Sequence, residues 1–182
     1  MRVIYLVRHG EYDYRDSRPE TLGQGLTQRG RLQAEATGSW LSRNTGDIEA
    51  VLSSDYVRAS QTADLIADAY GAVERAYDPL LRECADIYVA EGNHHLQSAA
   101  LAFERVLGST ARERRSLVVV CHANLIRYML ARVERWPKRK WQSQLIPPCS
   151  ISTVRSGTGT VLPKANPVAS VRHLPPSLRD SI

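Results

Sequence analysis

The chain has 182 residues, of which 43% are hydrophobic and 24% are charged, and its formal net charge is +5. This length and composition predict one globular domain over residues 1–182 and exclude a disordered chain. The longest apolar runs have the length of strands, so we expect no membrane segment in this chain. The positive charge favours an anionic ligand but does not choose its chemical class.

Three widely spaced cysteines, Cys84, Cys121 and Cys149, form no Cys-x-x-Cys pair. This pattern argues against a disulfide framework or a cysteine zinc site and predicts an intracellular protein. The chain begins almost directly with an apolar run, so we expect no signal peptide. The expected location is cytoplasmic, or mitochondrial if a leading anchor segment was removed.

The first element is an unbroken apolar run, Val3–Val7, that stops at Arg8, His9 and Gly10. A run without polar alternation predicts a strand buried on both faces of a parallel sheet. Ligands bind beyond the carboxyl ends of such strands, so Arg8 and His9 lie where a site is expected. We expect Gly10 to allow a sharp turn at this point.

The next segments alternate between helix and strand patterns. They are a polar loop (12–25), a helix from about Leu26 to Asn44 capped by Thr27, a strand Ala50–Ser53, a helix capped by Ser54 or Asp55 that runs through Ala69, a strand Val73–Tyr77 and a turn at Asp78-Pro79. This alternation predicts an α/β fold with a parallel sheet.

The second half continues the same alternation and then changes to a hairpin. It comprises an irregular segment (88–95), a helix from His95 or Leu96 to Leu107, a strand Leu117–Cys121, a helix Asn124–Arg135 stopped by Trp136-Pro137, a hairpin of Ser150–Val154 and Thr160–Leu162 joined at Gly157-Thr158-Gly159, and an extended tail marked by Pro163, Pro167, Pro175 and Pro176.

Residues that can bind or transfer phosphate stand at or just after the ends of predicted strands. They are Arg8, His9, Arg58, Glu83 and His122. Two arginines offer forked donors to a tetrahedral oxyanion. The helix that follows His122 adds backbone N–H groups, beginning at Ala123, and the positive end of its dipole. The combination predicts a phosphate pocket.

The two histidines can take complementary roles in such a pocket. A neutral histidine can attack phosphorus, while a protonated one donates to a non-bridging oxygen. Guanidinium charges disfavour the protonated form of His9, which keeps its lone pair available. A carboxylic acid at the rim can protonate the departing oxygen and then activate water. Glu11 and Glu91 compete with Glu83 for this role.

Five motifs occur in a fixed order along nearly the whole chain. They are Arg8-His9-Gly10, Leu26-Thr27-x-x-Gly30-x-x-Gln33-Ala34, Ser53-Ser54-x-x-x-Arg58-Ala59-x-Gln61-Thr62-Ala63, Leu80-Leu81-Arg82-Glu83 and His122. Together they resemble the histidine phosphatase superfamily, the phosphoglycerate mutase-like fold. The resemblance implies a three-layer αβα sandwich, with a mostly parallel central sheet, helices on both faces and the C-terminal hairpin.

The resemblance also implies the role of each site residue. His9 would be the phosphorylated nucleophile and Glu83 the general acid and base. Arg8, Arg58 and His122 would bind phosphate, without a metal or other cofactor. The chain departs from many family members at Tyr12 to Arg15, where they carry Thr or Ser, and this changes the outer wall of the site.

The segment from Cys121 to Tyr128, followed by Trp136-Pro137, resembles the branch of mitochondrial serine/threonine protein phosphatases. We therefore expect a metal-independent phosphatase that hydrolyses phosphoproteins through a phosphohistidine. The short segment between Glu83 and Leu96 offers little material for a lid, which favours hydrolysis over mutase activity. A small-metabolite phosphatase, a phosphoglycerate mutase and a non-catalytic phosphate-binding module stay open as alternatives.

The expected partner is a phosphorylated protein or a small phosphomonoester, and a homodimer stays open. We expect no nucleic acid, because no aromatic residues interleave the basic cluster Arg112, Arg114 and Arg115. We expect that cluster and the run 138–140 to be solvated helix ends and a loop.

Two other patterns suggest rival chemistry. Cys121 to Arg127 fits the Cys-x5-Arg loop of cysteine-dependent phosphatases. Its interior contains no glycine, so we expect Cys121 to be a buried strand residue and Arg127 an ordinary helix cation. His94 and His95 have no third ligand in view, and we expect them in a surface loop rather than at a metal.

Overall fold

The computed structural model describes residues 2–84, 94–108, 116–155 and 160–165, with the backbone alone for 162–164. The strands in these ranges are β1 (Val3–Arg8), β2 (Ile48–Ser53), β3 (Glu74–Tyr77), β4 (Ser116–Cys121), β5 (Ile151–Arg155) and β6 (Thr160–Ala165). The helices are α1 (Gln28–Asn44), α2 (Val57–Asp68), α3 (His94–Leu107), α4 (Ala123–Val133) and α5 (Lys138–Ser143), with a single 3₁₀ turn at Pro79–Leu81.

The strands form one sheet in the order β3-β2-β4-β1-β5-β6. The four strands β3, β2, β4 and β1 run parallel to one another. β5 runs antiparallel to β1, and β6 runs antiparallel to β5. The mostly parallel sheet and the C-terminal hairpin predicted from the sequence are therefore confirmed.

Helices cover both faces of the sheet because its central strands are apolar on both sides. Ile4 and Leu6 of β1 belong to a core cluster that includes residues of α3, α4 and α5. Val7 belongs to a second cluster with Leu41 of α1 and Ile66 of α2. The predicted three-layer αβα arrangement is confirmed, and it brings the carboxyl ends of β1, β2 and β4 to one edge of the sheet.

The start of α2 differs from the prediction. Its N-cap is Tyr56, without a side-chain hydrogen bond, rather than Ser54 or Asp55. Both predicted caps have other partners, because Ser54 Oγ lies 3.0 Å from His122 Nε2 and Asp55 Oδ1 accepts from Arg82 Nε at 2.7 Å. These tertiary hydrogen bonds occupy the two side chains, which therefore do not cap the helix.

Three other elements were also predicted incorrectly. α4 ends at Val133, earlier than expected, and Arg135 has a left-handed φ of 53°. The run 138–140 is exposed as expected, but it begins the unpredicted helix α5. Pro163 lies in β6 rather than in a tail, and β6 is an edge strand, where a proline breaks no internal ladder.

Several predicted features lie outside the described residues. These are Glu91 and most of the segment between Glu83 and Leu96, the basic cluster Arg112, Arg114 and Arg115, the hairpin turn at 157–159, and the prolines from Pro167 onward. Within the described ranges, no helix has both the length and the apolar character needed to cross a membrane.

Candidate active site

Two adjacent parallel strands place two histidines side by side. In the ladder between β1 and β4, Arg8 lies opposite Cys121, so His9 and His122 leave the sheet at the same edge. Their ring centroids are 5.1 Å apart, and both side chains are buried. A group bound between them would contact both imidazoles.

The hydrogen bond of His9 fixes which ring nitrogen carries the proton. His9 Nδ1 lies 2.8 Å from the carbonyl oxygen of Gly10. A carbonyl can only accept, so Nδ1 donates and the lone pair lies on Nε2. Burial, assisted by the charges of Arg8 and Arg58, lowers the pKa of His9 to about 3. His9 is therefore neutral, with an unprotonated Nε2, over the whole physiological range.

The turn after β1 is packed too closely for larger residues. A Cβ atom on Gly10 would lie 2.6 Å from the Gly30 carbonyl oxygen, and one on Gly30 would lie 1.9 Å from the Glu11 carbonyl oxygen. The Gly10 N–H donates to Thr62 Oγ1 at 3.0 Å, and the Glu11 N–H donates to Gln33 Oε1 at 2.9 Å. Gly10 is thus needed for close approach rather than for the sharp turn we expected, since its φ is not positive.

His122 has one ring nitrogen without a protein partner. Its Nε2 lies 3.0 Å from Ser54 Oγ, and its Nδ1 is buried without a hydrogen-bond partner. The Tyr56 N–H donates to Ser54 Oγ at 3.3 Å, and the hydroxyl proton is available to His122 Nε2. When Ser54 donates to Nε2, the ring proton of His122 lies on Nδ1, from which it can be donated to an anion.

We expected the histidine that donates to phosphate to be protonated, whereas the surroundings of His122 favour the neutral ring. Burial, together with His9, Arg58 and Arg8, lowers the pKa of His122. A neutral ring still has one N–H to donate to an oxyanion. Ala123, which follows His122, is buried and begins α4, so its backbone N–H belongs to the first turn, where helical N–H groups have no partner within the helix.

Arg58 is held in place before any anion binds. Its guanidinium carbon lies 4.7 Å from the ring centroid of Tyr12 and 4.9 Å from that of Tyr56. One terminal nitrogen donates to Glu20 Oε1 at 2.6 Å, and the other donates to Gln24 Oε1 at 3.3 Å. The Nε atom is buried without a hydrogen-bond partner and provides a donor to an oxyanion.

We expect Arg58→Lys to lower kcat/KM by about 10²-fold or more, because an ammonium group lacks the planar, forked donors of a guanidinium and cannot lie against the two tyrosine rings in the same way. Steady-state hydrolysis of p-nitrophenyl phosphate measures the effect. Arg75→Lys is the matched control, since Arg75 pairs with Asp64 and Asp68 at the protein surface. A rate near that of the control would place Arg58 outside the pocket.

Arg8 provides a second guanidinium with a buried and unpartnered Nε. One terminal nitrogen donates to the carbonyl oxygen of Ile146 at 2.7 Å, which ties the segment after α5 to the end of β1. Burial lowers the pKa of Arg8, an effect that Glu83 opposes. The unpartnered nitrogens of Arg8, Arg58 and His122 form a set of buried donors of the kind that needs an acceptor.

Glu83 lies beside the start of α4. Its Oε1 accepts from the backbone N–H groups of Cys84 at 3.1 Å and Asn124 at 3.2 Å. Burial raises the pKa of Glu83, although these two hydrogen bonds and the charges of Arg8 and Arg58 oppose the shift. Glu83 therefore remains protonated at higher pH than an exposed carboxylic acid, which suits a general acid.

The competing carboxylate Glu11 has other partners. Its Oε1 accepts from Thr27 Oγ1 at 3.0 Å, and its Oε2 lies 3.3 Å from Arg29 NH1. It thus supports the start of α1, where Thr27 is the N-cap as predicted. Of the two alternatives to Glu83, Glu11 is engaged elsewhere and Glu91 lies outside the described residues.

The cysteine mechanism is not supported. Cys121 is fully buried in β4, and burial raises its pKa far above that of an ordinary thiol. Arg127 donates to Asn124 Oδ1 at 2.7 Å and to the Gln144 carbonyl oxygen at 2.8 Å, so it braces the segment after α5. Cys121 therefore cannot supply a thiolate at neutral pH.

The histidine pair lies at the start of α3. This helix was predicted to begin at His95 or Leu96 and begins at His94, so the two histidines lie in its first turn rather than in the expected surface loop, with ring centroids 3.9 Å apart. Throughout the described ranges, no group of three or more His, Cys, Asp or Glu side chains is arranged to hold a metal ion.

The structure places Arg8, His9, Arg58, Glu83, His122 and Ala123 around one edge of the sheet, as the strand ends predicted. The residues that hold them were not singled out. Thr62 and Gln33 could have been recognised, because their motifs carry them, and Thr62 follows Arg58 by one helical turn. Glu20 and Gln24 have no signal in the sequence, because they lie in a loop without periodicity, and Tyr12 was noted only as a change in the outer wall of the site.

Comparison with known proteins agrees with this geometry. The family model described as the histidine phosphatase superfamily (branch 1) matches residues 4–99. The mitochondrial serine/threonine-protein phosphatase Pgam5 of Drosophila virilis is 32% identical over 191 residues, covering 95% of this chain and 62% of the fly protein. The chain thus spans less than two thirds of that relative's length.

Solved structures give the same result. A phosphoglycerate mutase from Plasmodium falciparum is 26% identical with a TM-score of 0.64, covering 96% of this chain and 94% of the other. The protein histidine phosphatase SixA, solved with tungstate, has a TM-score of 0.72 at 21% identity, covering 91% of this chain and 97% of that one, and shows the fold alone. The matched sequence, the fold and the ordered motifs together show that the chain belongs to the histidine phosphatase superfamily.

Proposed function

We propose that this chain is a phosphatase that hydrolyses phosphomonoesters through a phosphohistidine on His9. The observation that carries the proposal is the hydrogen bond from His9 Nδ1 to the Gly10 carbonyl oxygen. It leaves Nε2 as an unprotonated nucleophile among the buried donors of Arg8, Arg58 and His122. A module that only bound phosphate would not need a histidine held in this tautomer.

The first step transfers the phosphoryl group to the enzyme. His9 Nε2 forms a bond to phosphorus as the bond from phosphorus to the leaving oxygen breaks. Glu83 gives its proton to that oxygen, so the product leaves as a neutral alcohol. Arg8, Arg58, His122 and the Ala123 N–H stabilise the charge on the equatorial oxygens.

The second step returns the enzyme to its starting state. The carboxylate of Glu83 takes a proton from water, the water oxygen bonds to phosphorus, and the bond from phosphorus to His9 Nε2 breaks. Inorganic phosphate leaves, and Glu83 is again a protonated acid. The raised pKa of Glu83 suits both steps, because the same group must donate and then accept a proton.

The proposed substrates are serine and threonine phosphoproteins. The relative from Drosophila virilis is named a serine/threonine-protein phosphatase, and its similarity extends over 95% of this chain. The second candidate is a small-metabolite phosphatase or mutase, which the phosphoglycerate mutase fold neighbour favours. An intracellular location and the absence of nucleic acid as a partner stay predictions, and a homodimer stays open.

A substrate panel separates these candidates. Steady-state kcat/KM would be measured for phosphoserine and phosphothreonine peptides, phosphohistidine, sugar phosphates and 3-phosphoglycerate. We propose that the peptides give the highest values. A clear preference for a sugar or glycerate phosphate would reassign the substrate. Phosphate binding without turnover of any compound would support the alternative of a non-catalytic phosphate-binding module.

We expect the activity to need no divalent metal, because arginine and imidazole donors supply the stabilisation that a metal would otherwise provide. Exhaustive chelation should leave kcat unchanged within error on p-nitrophenyl phosphate. The control is the chelated enzyme with each of Mg²⁺, Mn²⁺ and Zn²⁺ restored in turn. Activity that is lost on chelation and recovers with one ion would contradict the metal-free mechanism.

A further inference from the structure

Large apolar side chains are exposed on the segments that hold the two arginines of the site. Five such side chains are exposed among the described residues: Tyr14, Leu22, Tyr77, Leu101 and Leu145. Three of them, Tyr14, Leu22 and Leu145, lie on the two segments that contact Arg58 and Arg8. We call these three residues the apolar rim. Their exposed fractions are 73%, 69% and 78%.

Two rim residues lie on the Arg58 side. Leu22 is two residues from both Glu20 and Gln24, the side chains that bind Arg58. Tyr14 is two residues from Tyr12, whose ring lies on Arg58. Two residues span at most about 7 Å of backbone, so both rim residues lie within that distance of residues that contact Arg58. The Val57 N–H also donates to the Glu20 carbonyl oxygen at 2.9 Å, which fastens this loop to the start of α2.

The third rim residue lies on the Arg8 side. Leu145 stands between Ile146, whose carbonyl oxygen accepts from Arg8 at 2.7 Å, and Gln144, whose carbonyl oxygen accepts from Arg127 at 2.8 Å. Two arginines thus hold the backbone on both sides of Leu145, while its side chain is 78% exposed. The leucine is presented from a fixed segment next to the phosphate donors.

We infer that the apolar rim binds the polypeptide on either side of a phosphorylated residue, and that it selects phosphoprotein segments with apolar side chains near the phosphate. This inference rests on the proposed phosphatase function of the same pocket. A small phosphomonoester is consumed at the buried donors and has no group to place on the rim. An extended peptide advances about 3.3 Å per residue, so neighbours of the phosphorylated residue reach both sides.

The test uses two phosphoserine peptides that differ only in their flanks, with Leu or Ser at the positions two before and two after phosphoserine. Leu22→Ser, Leu145→Ser and the double variant would be compared with wild type. Leu101→Ser is the matched control, because Leu101 is a leucine of α3 that is 59% exposed and not on the rim segments. Hydrolysis of p-nitrophenyl phosphate measures the activity of the pocket alone, because this substrate has no flanking residues to contact the apolar rim.

We expect each rim variant to lose about tenfold in kcat/KM on the Leu-flanked peptide, mainly through KM, because a leucine contact is removed from the interface. Activity on p-nitrophenyl phosphate and on the Ser-flanked peptide should stay within about twofold. Equal losses of kcat/KM on all substrates, or no loss on the Leu-flanked peptide, would contradict the proposed binding of flanking residues by the apolar rim. A loss as large in Leu101→Ser would also overturn it.

A binding measurement keeps this result separate from the proposed function. Fluorescence anisotropy with the His9→Ala variant measures peptide affinity without turnover. Weaker binding of the Leu-flanked phosphopeptide in Leu22→Ser and Leu145→Ser would support the rim even if wild type hydrolysed nothing. Sedimentation of wild type and the double variant tests a second copy as the occupant, and a dimer that dissociates in the double variant without a change in peptide affinity would overturn the proposal.

Discussion

His9→Ala should abolish phosphoenzyme formation and reduce kcat/KM on the order of 10⁵-fold or more, by analogy with the loss of other nucleophiles. The reason is that His9 offers a neutral ring with its lone pair on Nε2 at the centre of the donor set. Acid-labile, alkali-stable label from ³²P-substrate, trapped in denaturant and read after mild acid or alkali, measures the intermediate.

Two variants complete that experiment. His95→Ala is the matched control, since it removes a histidine at the start of α3 and should retain the label. Circular dichroism would show that His9→Ala is folded. If label persisted in His9→Ala and disappeared in Cys121→Ser, the nucleophile would be the cysteine despite its burial.

Glu83→Gln should impair hydrolysis in proportion to the basicity of the leaving group. A serine alkoxide needs a proton as it departs, so we expect the phosphorylation step with a phosphoserine peptide to slow by about 10²- to 10⁴-fold. p-Nitrophenolate departs with little help, so the same step with p-nitrophenyl phosphate should change much less. Single-turnover phosphorylation rates must be compared, because dephosphorylation is common to both substrates.

The pH dependence supplies a second reading of Glu83. Its pKa is raised, so the protonated acid is present at low pH and is lost as the pH rises through that value. In the pH profile of peptide hydrolysis, the fall in rate at high pH should therefore be weaker in Glu83→Gln than in wild type. Glu11→Gln is the control and should retain this fall, since Glu11 pairs with Thr27 and Arg29. If the phosphorylation rate fell equally with both substrates, Glu83 would position the substrate rather than donate a proton to the leaving group.

The part of the site that follows strands could be read from the sequence. Val3–Val7 and Leu117–Cys121 are apolar enough to be buried strands, and each releases a histidine at its carboxyl end. Parallel strands in one sheet share that edge, so the placement of His9 and His122 at the same edge follows from the pattern. The order of the strands, which makes β1 and β4 neighbours and brings the two rings together, did not follow, because hydrophobic periodicity and burial do not specify which strands pair.

The surroundings of Arg58 could not be read in this way. Its contact with Glu20 spans 38 residues, and Glu20 lies in a loop where no periodicity fixes its direction. Ser54 was misassigned for a related reason. A serine before a helix normally caps it, yet here the hydroxyl has a histidine partner 68 residues away. Local propensity does not include such partners.

The stacking of Arg58 between two tyrosines has a kinetic consequence. A free arginine side chain loses rotamer entropy when it grips a ligand, whereas this one is already ordered by Tyr12 and Tyr56. That ordering favours every tetrahedral oxyanion alike, including orthophosphate. Under the proposed mechanism the product dissociates from the same ordered guanidinium that received the substrate, so we expect release of phosphate, together with dephosphorylation of His9, to limit turnover for substrates with good leaving groups.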